Sequence, residues 1–121
     1  MAIKVFIAGD VVPRNRTSLL FKSKRTRELF GSILPVISKS DIRVVNLEAP
    51  IINGTPTPIK KSGPALHTTA ETAYVLKEAG FDVVTLANNH FRDHGEQGVE
   101  DTINILKNNG LFFVGGGKDV T

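Results

Sequence analysis

One short stretch of the chain concentrates side chains that can bind a metal ion or move a proton: Asn88, Asn89, His90, Asp93 and His94. The run before it, residues 81–85, is apolar and rich in β-branched side chains, which is typical of a buried strand. The residues that follow, 96–109, predict a helix. Packing alone does not explain so many polar groups in one loop between a strand and a helix. We therefore interpret this loop as a candidate functional site.

Four apolar runs predict the strands that position this loop, at residues 3–8, 41–47, 82–87 and 111–114. Between them, three stretches predict helices, at residues 25–38, 69–79 and 96–109. Strands with continuous apolar runs, joined by helices, indicate a mainly parallel sheet covered by helices on both faces. We expect a layered β-α-β-α-β-α-β fold of the α/β class, with residues 1–121 forming a single domain.

The helix ends and connections carry signals of their own. Pro35 predicts a kink or an early stop in the first helix, because proline lacks the backbone donor that a helix interior uses. Thr69 is a candidate N-cap for the second helix, and Gly80 is its candidate stop. Residues 51–66 are rich in proline, glycine, threonine and lysine, so they predict an irregular excursion, with a hairpin turn at residues 53–54 as one option.

The carboxyl ends of the predicted strands supply further polar groups, and ligands of open parallel sheets bind at that edge. Asp10 comes from the first strand, Asn46 and Glu48 come from the second, and the loop at residues 88–93 follows the third. Carboxylate and amide oxygens suit Mg²⁺ or Mn²⁺, and an added imidazole extends the candidates to Fe or Zn. The sequence thus predicts a divalent metal site at this edge.

Other conspicuous residues have a structural interpretation. Residues 115–118, Gly-Gly-Gly-Lys, lack the spacing of a phosphate-binding loop, so we predict a glycine turn near the site. His94 fits a surface position or the start of the third helix better than a role in the site. His67 fits a structural position better than a substrate contact. Asn88 is more readily explained by bonds to nearby backbone than by ligand binding.

Charge is distributed unevenly along the chain. Residues 1–40 contain eight Lys or Arg and two acidic residues, whereas residues 41–121 contain seven and ten. A basic cluster begins in a predicted polar loop at residues 14–18 and comprises Arg14, Arg16, Lys22, Lys24, Arg25 and Arg27. A solvated surface is one interpretation, and a patch that binds an anionic substrate or polymer is the other. Few aromatic residues interleave with the cluster, so we do not expect nucleic acid as the partner.

The composition excludes several classes of site. There is no cysteine, which rules out disulfides, zinc–thiolate centres and cysteine nucleophiles. No apolar run approaches the roughly 18 residues that span a membrane, and the apolar segment at residues 5–8 is too short for a signal peptide. We expect a soluble chain without a transmembrane segment, whose compartment the residues do not fix.

Three motifs resemble those of a known family. They are Gly9-Asp10, the Asn-Leu-Glu sequence at residues 46–48, and residues 79–95, which contain Ala-Asn-Asn-His-x-x-Asp-x-Gly. Together they resemble the CapA family of bacterial capsule-synthesis proteins, which is linked to poly-γ-glutamate production and has a fold similar to the calcineurin-like metallophosphoesterases. The resemblance covers nearly the whole chain. It implies the N-terminal part of a longer domain and an association with the cell envelope.

The resemblance also implies roles for individual residues. Asp10, Glu48 and Asn89 would bind divalent metal, in a centre of one or two ions. His90 would donate a proton to the leaving group or stabilise charge on it, and Asp93 would orient His90. The candidate substrate-binding residues are Arg14, Asn46 and Asn88.

The chain departs from the family patterns in three places. After Asp10, residues 13–16 (Pro-Arg-Asn-Arg) stand where the family usually has an apolar-Gly-Arg run, so the arginine of that run is not assigned. Val12 stands where the first motif usually has histidine, and the later histidine motifs that complete the metal sites are expected after Thr121. We expect a capsule or poly-γ-glutamate biosynthesis protein with metal-dependent, phosphoesterase-like hydrolase chemistry. We expect this chain by itself to be inactive. The substrate would be a phosphoester or an amide-linked polymer. The alternative is a non-catalytic module that binds an anionic polymer or serves assembly, and an uncovered sheet edge would favour a homodimer.

Overall fold

The computed structural model describes residues 1–117 of the chain. Four strands within this range form one parallel sheet in the order β1-β2-β3-β4. Their bounds are β1 (Val5–Val11), β2 (Ile42–Leu47), β3 (Val83–Thr85) and β4 (Phe112–Val114). The expected α/β class and the parallel sheet are both confirmed. The first strand continues past Gly9-Asp10, where the sequence predicted its end.

The helices lie between consecutive strands. The first connection contains α1 (Arg16–Lys22), α2 (Thr26–Phe30), a 3₁₀ turn (Gly31–Ile33) and α3 (Leu34–Ser38), and the later ones contain α4 (Glu71–Ala79) and α5 (Gly95–Asn108). The single helix predicted at residues 25–38 is therefore wrong. Pro35 lies in the first turn of α3, where a missing backbone donor costs nothing. The polar loop predicted at residues 14–18 is also wrong, because α1 begins at Arg16. This helix contacts α4, and its Phe21 side chain is buried.

The second connection differs in detail from its prediction. α4 begins at Glu71 with Ala70 in the N-cap position and without a side-chain cap, so Thr69 is not the N-cap. Gly80 ends the helix in the left-handed conformation, as predicted, with a φ of 110°. The excursion is not a hairpin, because residues 53–66 contain no strand. Ile51 instead pairs with Thr68 as an isolated parallel bridge.

The core lies between the sheet and the helices. Its fully buried members include Ile37, Val45, Leu47, Leu76, Phe81, Val84, Leu86 and Leu106. Strand side chains alternate between two faces, and those on the other face remain exposed at Val5, Ile7, Ile42, Phe112 and Val114. The expectation that helices cover both faces is therefore wrong for residues 1–117. The strands lie in the sheet in the same order as in the chain. Because each crossover between neighbouring parallel strands is right-handed, all the connecting helices lie on the same face of the sheet.

An irregularity in β1 sets the direction of Asp10. Ile7 pairs with Val44 and Asp10 pairs with Asn46, so β1 advances three residues where β2 advances two. The extra residue is a β-bulge, which shifts the side-chain alternation of the bulged strand. Asp10 consequently lies on the same side of the sheet as Asn46, its partner in register.

Candidate functional site

The carboxyl ends of β1, β2 and β3 are joined by a chain of polar side chains. The Asn46 Nδ2 donates to Asp10 Oδ1 over 2.7 Å, and Thr85 Oγ1 donates to Asn46 Oδ1 over 2.9 Å. Asn46 therefore bridges Asp10 on one neighbouring strand and Thr85 on the other. The sequence selected Asp10 and Asn46 as site residues, whereas it treated Thr85 only as part of a strand.

Asn88 fastens the candidate loop to the end of β2. Its Nδ2 donates to the Leu47 carbonyl oxygen over 2.8 Å and reaches Asn46 Oδ1 at 3.4 Å. Its Oδ1 accepts the backbone N–H of His90 over 3.0 Å. Both the NH₂ group and the oxygen of the Asn88 amide thus form hydrogen bonds with the backbone or with the Asn46 amide. These bonds agree with the structural interpretation of Asn88. A substrate-binding role for it stays a prediction.

Asp93 is the buried carboxylate of the site. Its carboxylate is 1% exposed, and its two oxygens receive three hydrogen bonds. Oδ2 accepts from His90 Nδ1 over 2.6 Å and from the Leu66 backbone N–H over 2.7 Å. Oδ1 accepts from Lys61 Nζ over 2.6 Å. Asp93 therefore joins the candidate loop to the irregular excursion that precedes α4.

Opposing effects act on the pKa of Asp93. Burial raises the pKa, because a carboxylate loses hydration in the protein interior. Hydrogen bonds from Lys61, the Leu66 backbone and His90, together with the charge of His90, outweigh burial and lower the pKa below its usual 3.8. The carboxylate is ionised at neutral pH and can only accept hydrogen bonds.

His90 is therefore held in one tautomer. Since Asp93 can only accept, the proton of the Asp93–His90 bond sits on Nδ1, and Nε2 carries either a lone pair or a second proton. No hydrogen bond to Nε2 is formed by any residue from 1 to 117, and the His90 side chain is 13% exposed. An imidazole with one nitrogen on a buried carboxylate and the other open is suited to proton transfer. The Asp93–His90 hydrogen bond is one that an orienting role for Asp93 would need, and the catalytic roles of both residues stay predictions.

Residues 53–66 of the irregular excursion, which we call the strap, are fixed to this site by backbone hydrogen bonds. The Thr57 N–H donates to His94 Nδ1 over 3.0 Å, and the Ile59 N–H donates to the Asp93 carbonyl oxygen over 2.8 Å. At its start, the Asn53 N–H donates to Asp101 Oδ2 on α5 over 3.0 Å. The strap contains no helix or strand, so these bonds to side chains and loop backbone take the place of a regular ladder.

His94 is buried beside the strap, which corrects the surface interpretation of this residue. It occupies the N-cap position of α5, as the alternative interpretation expected, and is 3% exposed. Its Nε2 lacks a hydrogen-bond partner in residues 1–117, and its ring meets the ring of the exposed His67 edge to face at 5.3 Å. Burial and the neighbouring His67 lower the pKa of His94, against the smaller raising effects of Asp93 and the Leu66 backbone.

The expected metal ligands are oxygen donors at three adjacent strand ends. Asp10 and Asn89 are exposed, and Glu48 is half-buried next to β1, where its backbone N–H donates to the Val11 carbonyl oxygen over 3.1 Å. Hard divalent cations take such donors. Residues 1–117, however, contain no group of three His, Cys, Asp or Glu side chains that could hold a metal ion. The donors present fit a metal in type, but by themselves they are not a complete ligand set.

Two glycines after β4 lie directly against the candidate loop. A Cβ at Gly115, whose φ is 79°, would fall 2.7 Å from Ala87 Cβ, and a Cβ at Gly116 would fall 2.5 Å from the Phe91 ring. The turn therefore approaches the loop more closely than any other residue type allows. The predicted position of this glycine turn is confirmed. Lys118 lies outside the described residues.

In residues 1–117 no hydrogen bond or ion pair joins Arg14 to Asp93 or His90. It is exposed, and its backbone N–H and carbonyl oxygen bond to the Thr17 hydroxyl at the start of α1. Its proposed substrate contact stays a prediction.

The site includes two groups that sequence reasoning missed, Lys61 and the Leu66 backbone N–H. Lys61 is 32 residues away from Asp93 in a segment with no regular period, and a backbone N–H leaves no sequence signal.

Comparison with known proteins gives the family. The sequence profile of a family described as "Bacterial capsule synthesis protein PGA_cap" matches residues 4–121. The chain belongs to this family.

Individual relatives agree with the profile. The chain is 32% identical over 115 residues to a "Capsule biosynthesis protein CapA" of Bacillus anthracis, covering 93% of this chain and 28% of that protein. It is 29% identical over 113 residues to a "PGA biosynthesis protein CapA" of Bacillus subtilis (strain 168), covering 93% of this chain and 30% of that protein. An "Uncharacterized protein y4sH" of Sinorhizobium fredii is 33% identical over 95 residues, which are 74% of this chain and 20% of that protein.

The chain therefore spans less than a third of the length of these relatives. In the part of the chain that the structure describes, each helix is too short or too polar to cross a lipid bilayer.

Proposed function

We propose that the chain is part of an envelope-associated protein of capsule or poly-γ-glutamate biosynthesis, with metal-dependent hydrolase chemistry on a phosphoester or an amide-linked anionic polymer. Membership in the capsule synthesis family supports the biosynthetic role. The observation that carries the hydrolase proposal is the buried Asp93–His90 pair at 2.6 Å, which leaves His90 Nε2 open at the carboxyl edge of a parallel sheet.

The protein's own side chains divide the work in this proposal. His90 Nε2 gives a proton to the leaving oxygen or nitrogen, or stabilises the charge that develops on it. Asp93 holds the proton on Nδ1 and stabilises the imidazolium, because its ionised carboxylate accepts from that nitrogen. Asn88 fixes the backbone of His90, and Asn46 steadies Asp10. Substrate contacts would come from Arg14, Asn46 and Asn88.

One or two divalent ions, Mg²⁺, Mn²⁺, Fe or Zn²⁺, would be held by Asp10, Glu48 and Asn89 together with ligands outside the described residues. When bound, such an ion supplies an activated water and neutralises negative charge on the substrate. Because three oxygen donors are an incomplete set, we expect residues 1–117 to bind metal weakly without further ligands.

The decisive experiment uses the full-length protein, since the chain covers under a third of its relatives. Hydrolysis of bis-p-nitrophenyl phosphate and of poly-γ-glutamate is measured with Mn²⁺ for the wild type, His90→Ala and, as a matched imidazole control, His67→Ala. We expect His90→Ala to lower turnover by about 100-fold or more, as loss of a general acid does, and to lower the melting temperature only slightly, because Asp93 keeps its bonds to Lys61 and the Leu66 N–H. Equal turnover in the wild type and His90→Ala would remove His90 from the mechanism.

A second candidate function, of a different class, is non-catalytic binding of an anionic polymer. The observation that favours it is the exposure of every member of the basic cluster on and around α1 and α2: Arg14, Arg16, Lys22, Lys24, Arg25 and Arg27. The same experiment separates the two. Binding of poly-γ-glutamate that weakens with salt, without hydrolysis of either substrate, supports the binding module.

We also propose that this chain, taken alone, associates with a second copy through the exposed side of its sheet. Ile7, Val44, Val83 and Phe112 are cross-strand neighbours in register, so they form a continuous apolar row. Ile7 and Phe112 are each 74% exposed. A row of this kind favours association, because burial removes apolar surface from water.

A further inference from the structure

We propose that Lys61 is a positioning residue for His90 and acts on it through Asp93. This proposal rests on the proposed function, in which His90 donates a proton to the leaving group. Lys61 belongs to the strap, outside the motifs that resemble the family, and neither its position nor its spacing marks it in the sequence. It is the cationic partner of the one buried carboxylate that touches His90 in the described part of the chain.

The geometry divides the Asp93 carboxylate between two tasks. Oδ1 accepts from Lys61 Nζ over 2.6 Å, and Oδ2 accepts from His90 Nδ1 over 2.6 Å. The Lys61 side chain is 21% exposed, whereas that of Asp93 is 1% exposed. The ammonium group thus closes the side of the carboxylate that is turned away from the imidazole, and the ion pair is mostly shielded from solvent.

The burial of Asp93 explains why a cation is needed there. A buried carboxylate without a charged partner tends to take up a proton, because the neutral acid costs less to desolvate. A protonated Asp93 would weaken its hold on the His90 Nδ1 proton and would no longer stabilise an imidazolium. Lys61 opposes this protonation through a charge-assisted hydrogen bond. Its effect on His90 is therefore electrostatic and passes through Asp93.

Backbone bonds on both sides bring Lys61 to this position independently of its own side chain. Two residues earlier, the Ile59 N–H donates to the Asp93 carbonyl oxygen, and five residues later the Leu66 N–H donates to Asp93 Oδ2. We expect a substitution at Lys61 to leave both bonds in place, because neither involves the Lys61 side chain. Its consequences can then be assigned to the lost ammonium group rather than to a displaced strap.

The test compares Lys61→Met, which keeps most of the length without the charge, with Lys61→Arg, which keeps the charge. Lys60→Met is the matched control, because Lys60 is the exposed neighbour in the same strap. The first readout is the pKa of the Asp93 carboxyl, followed by ¹³C NMR in the full-length protein, and it requires no activity. We expect the pKa to rise in Lys61→Met and to stay near the wild-type value in Lys61→Arg and Lys60→Met. An unchanged pKa in Lys61→Met overturns the proposal.

The second readout is hydrolysis. We expect Lys61→Met to lower kcat by about 10- to 100-fold with little change in KM, as the loss of an outer-sphere partner typically does. The acid limb of its pH profile should move to higher pH, because Asp93 then protonates more readily. Lys61→Arg should restore both. A raised Asp93 pKa together with a wild-type kcat and pH profile overturns the positioning role. If the wild type hydrolyses neither substrate, the hydrolase proposal fails, while the NMR readout still decides whether Lys61 controls Asp93.

Discussion

The substitution Asp93→Asn tests the physical account of the site without reference to activity. The carboxylate accepts three hydrogen bonds, two at Oδ2 and one at Oδ1. The amide has nearly the same shape but replaces one oxygen with an NH₂ group. If that group faces Lys61, two donors meet. If it faces Leu66 and His90, the Leu66 N–H loses its acceptor. In either orientation at least one strong donor is left without a partner.

The size of the effect follows from this count. An unsatisfied buried donor costs about 1–3 kcal/mol, so Asp93→Asn should lower the free energy of unfolding by about that amount. Asp93→Ala removes every acceptor and leaves the mostly buried Lys61 ammonium unpaired, for which we expect a loss of about 3–5 kcal/mol. The matched control is Asp101→Asn. Asp101 is also buried and also holds the strap, but its partners, the Asn53 N–H and Gln97 Nε2, are uncharged. Gln97 is exposed, so the new amide can turn its NH₂ group towards Gln97, which then bonds to water, and keep its oxygen on the Asn53 N–H. We therefore expect this substitution to cost about 1 kcal/mol or less.

The assay is urea unfolding followed by far-UV circular dichroism, since the sequence has no tryptophan and only one tyrosine. The pH dependence gives a second check. The pKa of Asp93 is lowered in the folded protein, so its stabilising contribution is present above the ordinary value of 3.8 and is lost as the pH falls through the folded pKa. The difference between the wild type and Asp93→Asn should therefore shrink in strong acid.

Two outcomes would refute this reasoning. One is a loss in Asp93→Asn that is no larger than the loss in Asp101→Asn. The other is a difference from the wild type that stays constant down to the acid limit. Either would mean that the Asp93 charge does not hold the strap to the loop.

The remaining predictions concern His94 and the exposed side of the sheet. Burial and His67 lower the pKa of His94, so the folded state favours neutral His94, and stability should fall as the pH drops from 6.5 towards the folded pKa. Urea unfolding of His94→Gln should show a weaker decline over that range than the wild type, and identical pH dependence in both proteins would contradict the prediction. Sedimentation velocity of this chain should show a concentration-dependent dimer that Ile7→Lys abolishes, whereas an unchanged sedimentation coefficient at every concentration would argue against association through this face.

Much of the fold could be predicted from the sequence. Runs such as Val83–Thr85 are apolar and β-branched, and that local property decides between strand and helix wherever packing agrees with it. The third predicted helix matches α5 (Gly95–Asn108) within a residue at each end. Boundaries in the first connection were less predictable. The helices α1 and α2 are short, and they depend on packing against α4 more than on their own sequence pattern.

The candidate site divides in the same way. The sequence by itself determined that His90 and Asp93 share one loop, three residues apart, and a separation that short lets the side chains meet in a tight turn. It also placed Asp10 and Asn46 at the same edge of a parallel sheet, although a bulge that no local signal revealed decided where Asp10 points.

Only the tertiary structure decided which groups complete the site. The strap reaches Asp93 and His94 through Lys61 and through three backbone N–H groups, those of Thr57, Ile59 and Leu66. Backbone donors are the same in every residue but proline, and the strap has no period that would fix its path. Its position is set by the need to satisfy buried polar groups across a long separation in sequence, and that requirement exists only once the chain has folded.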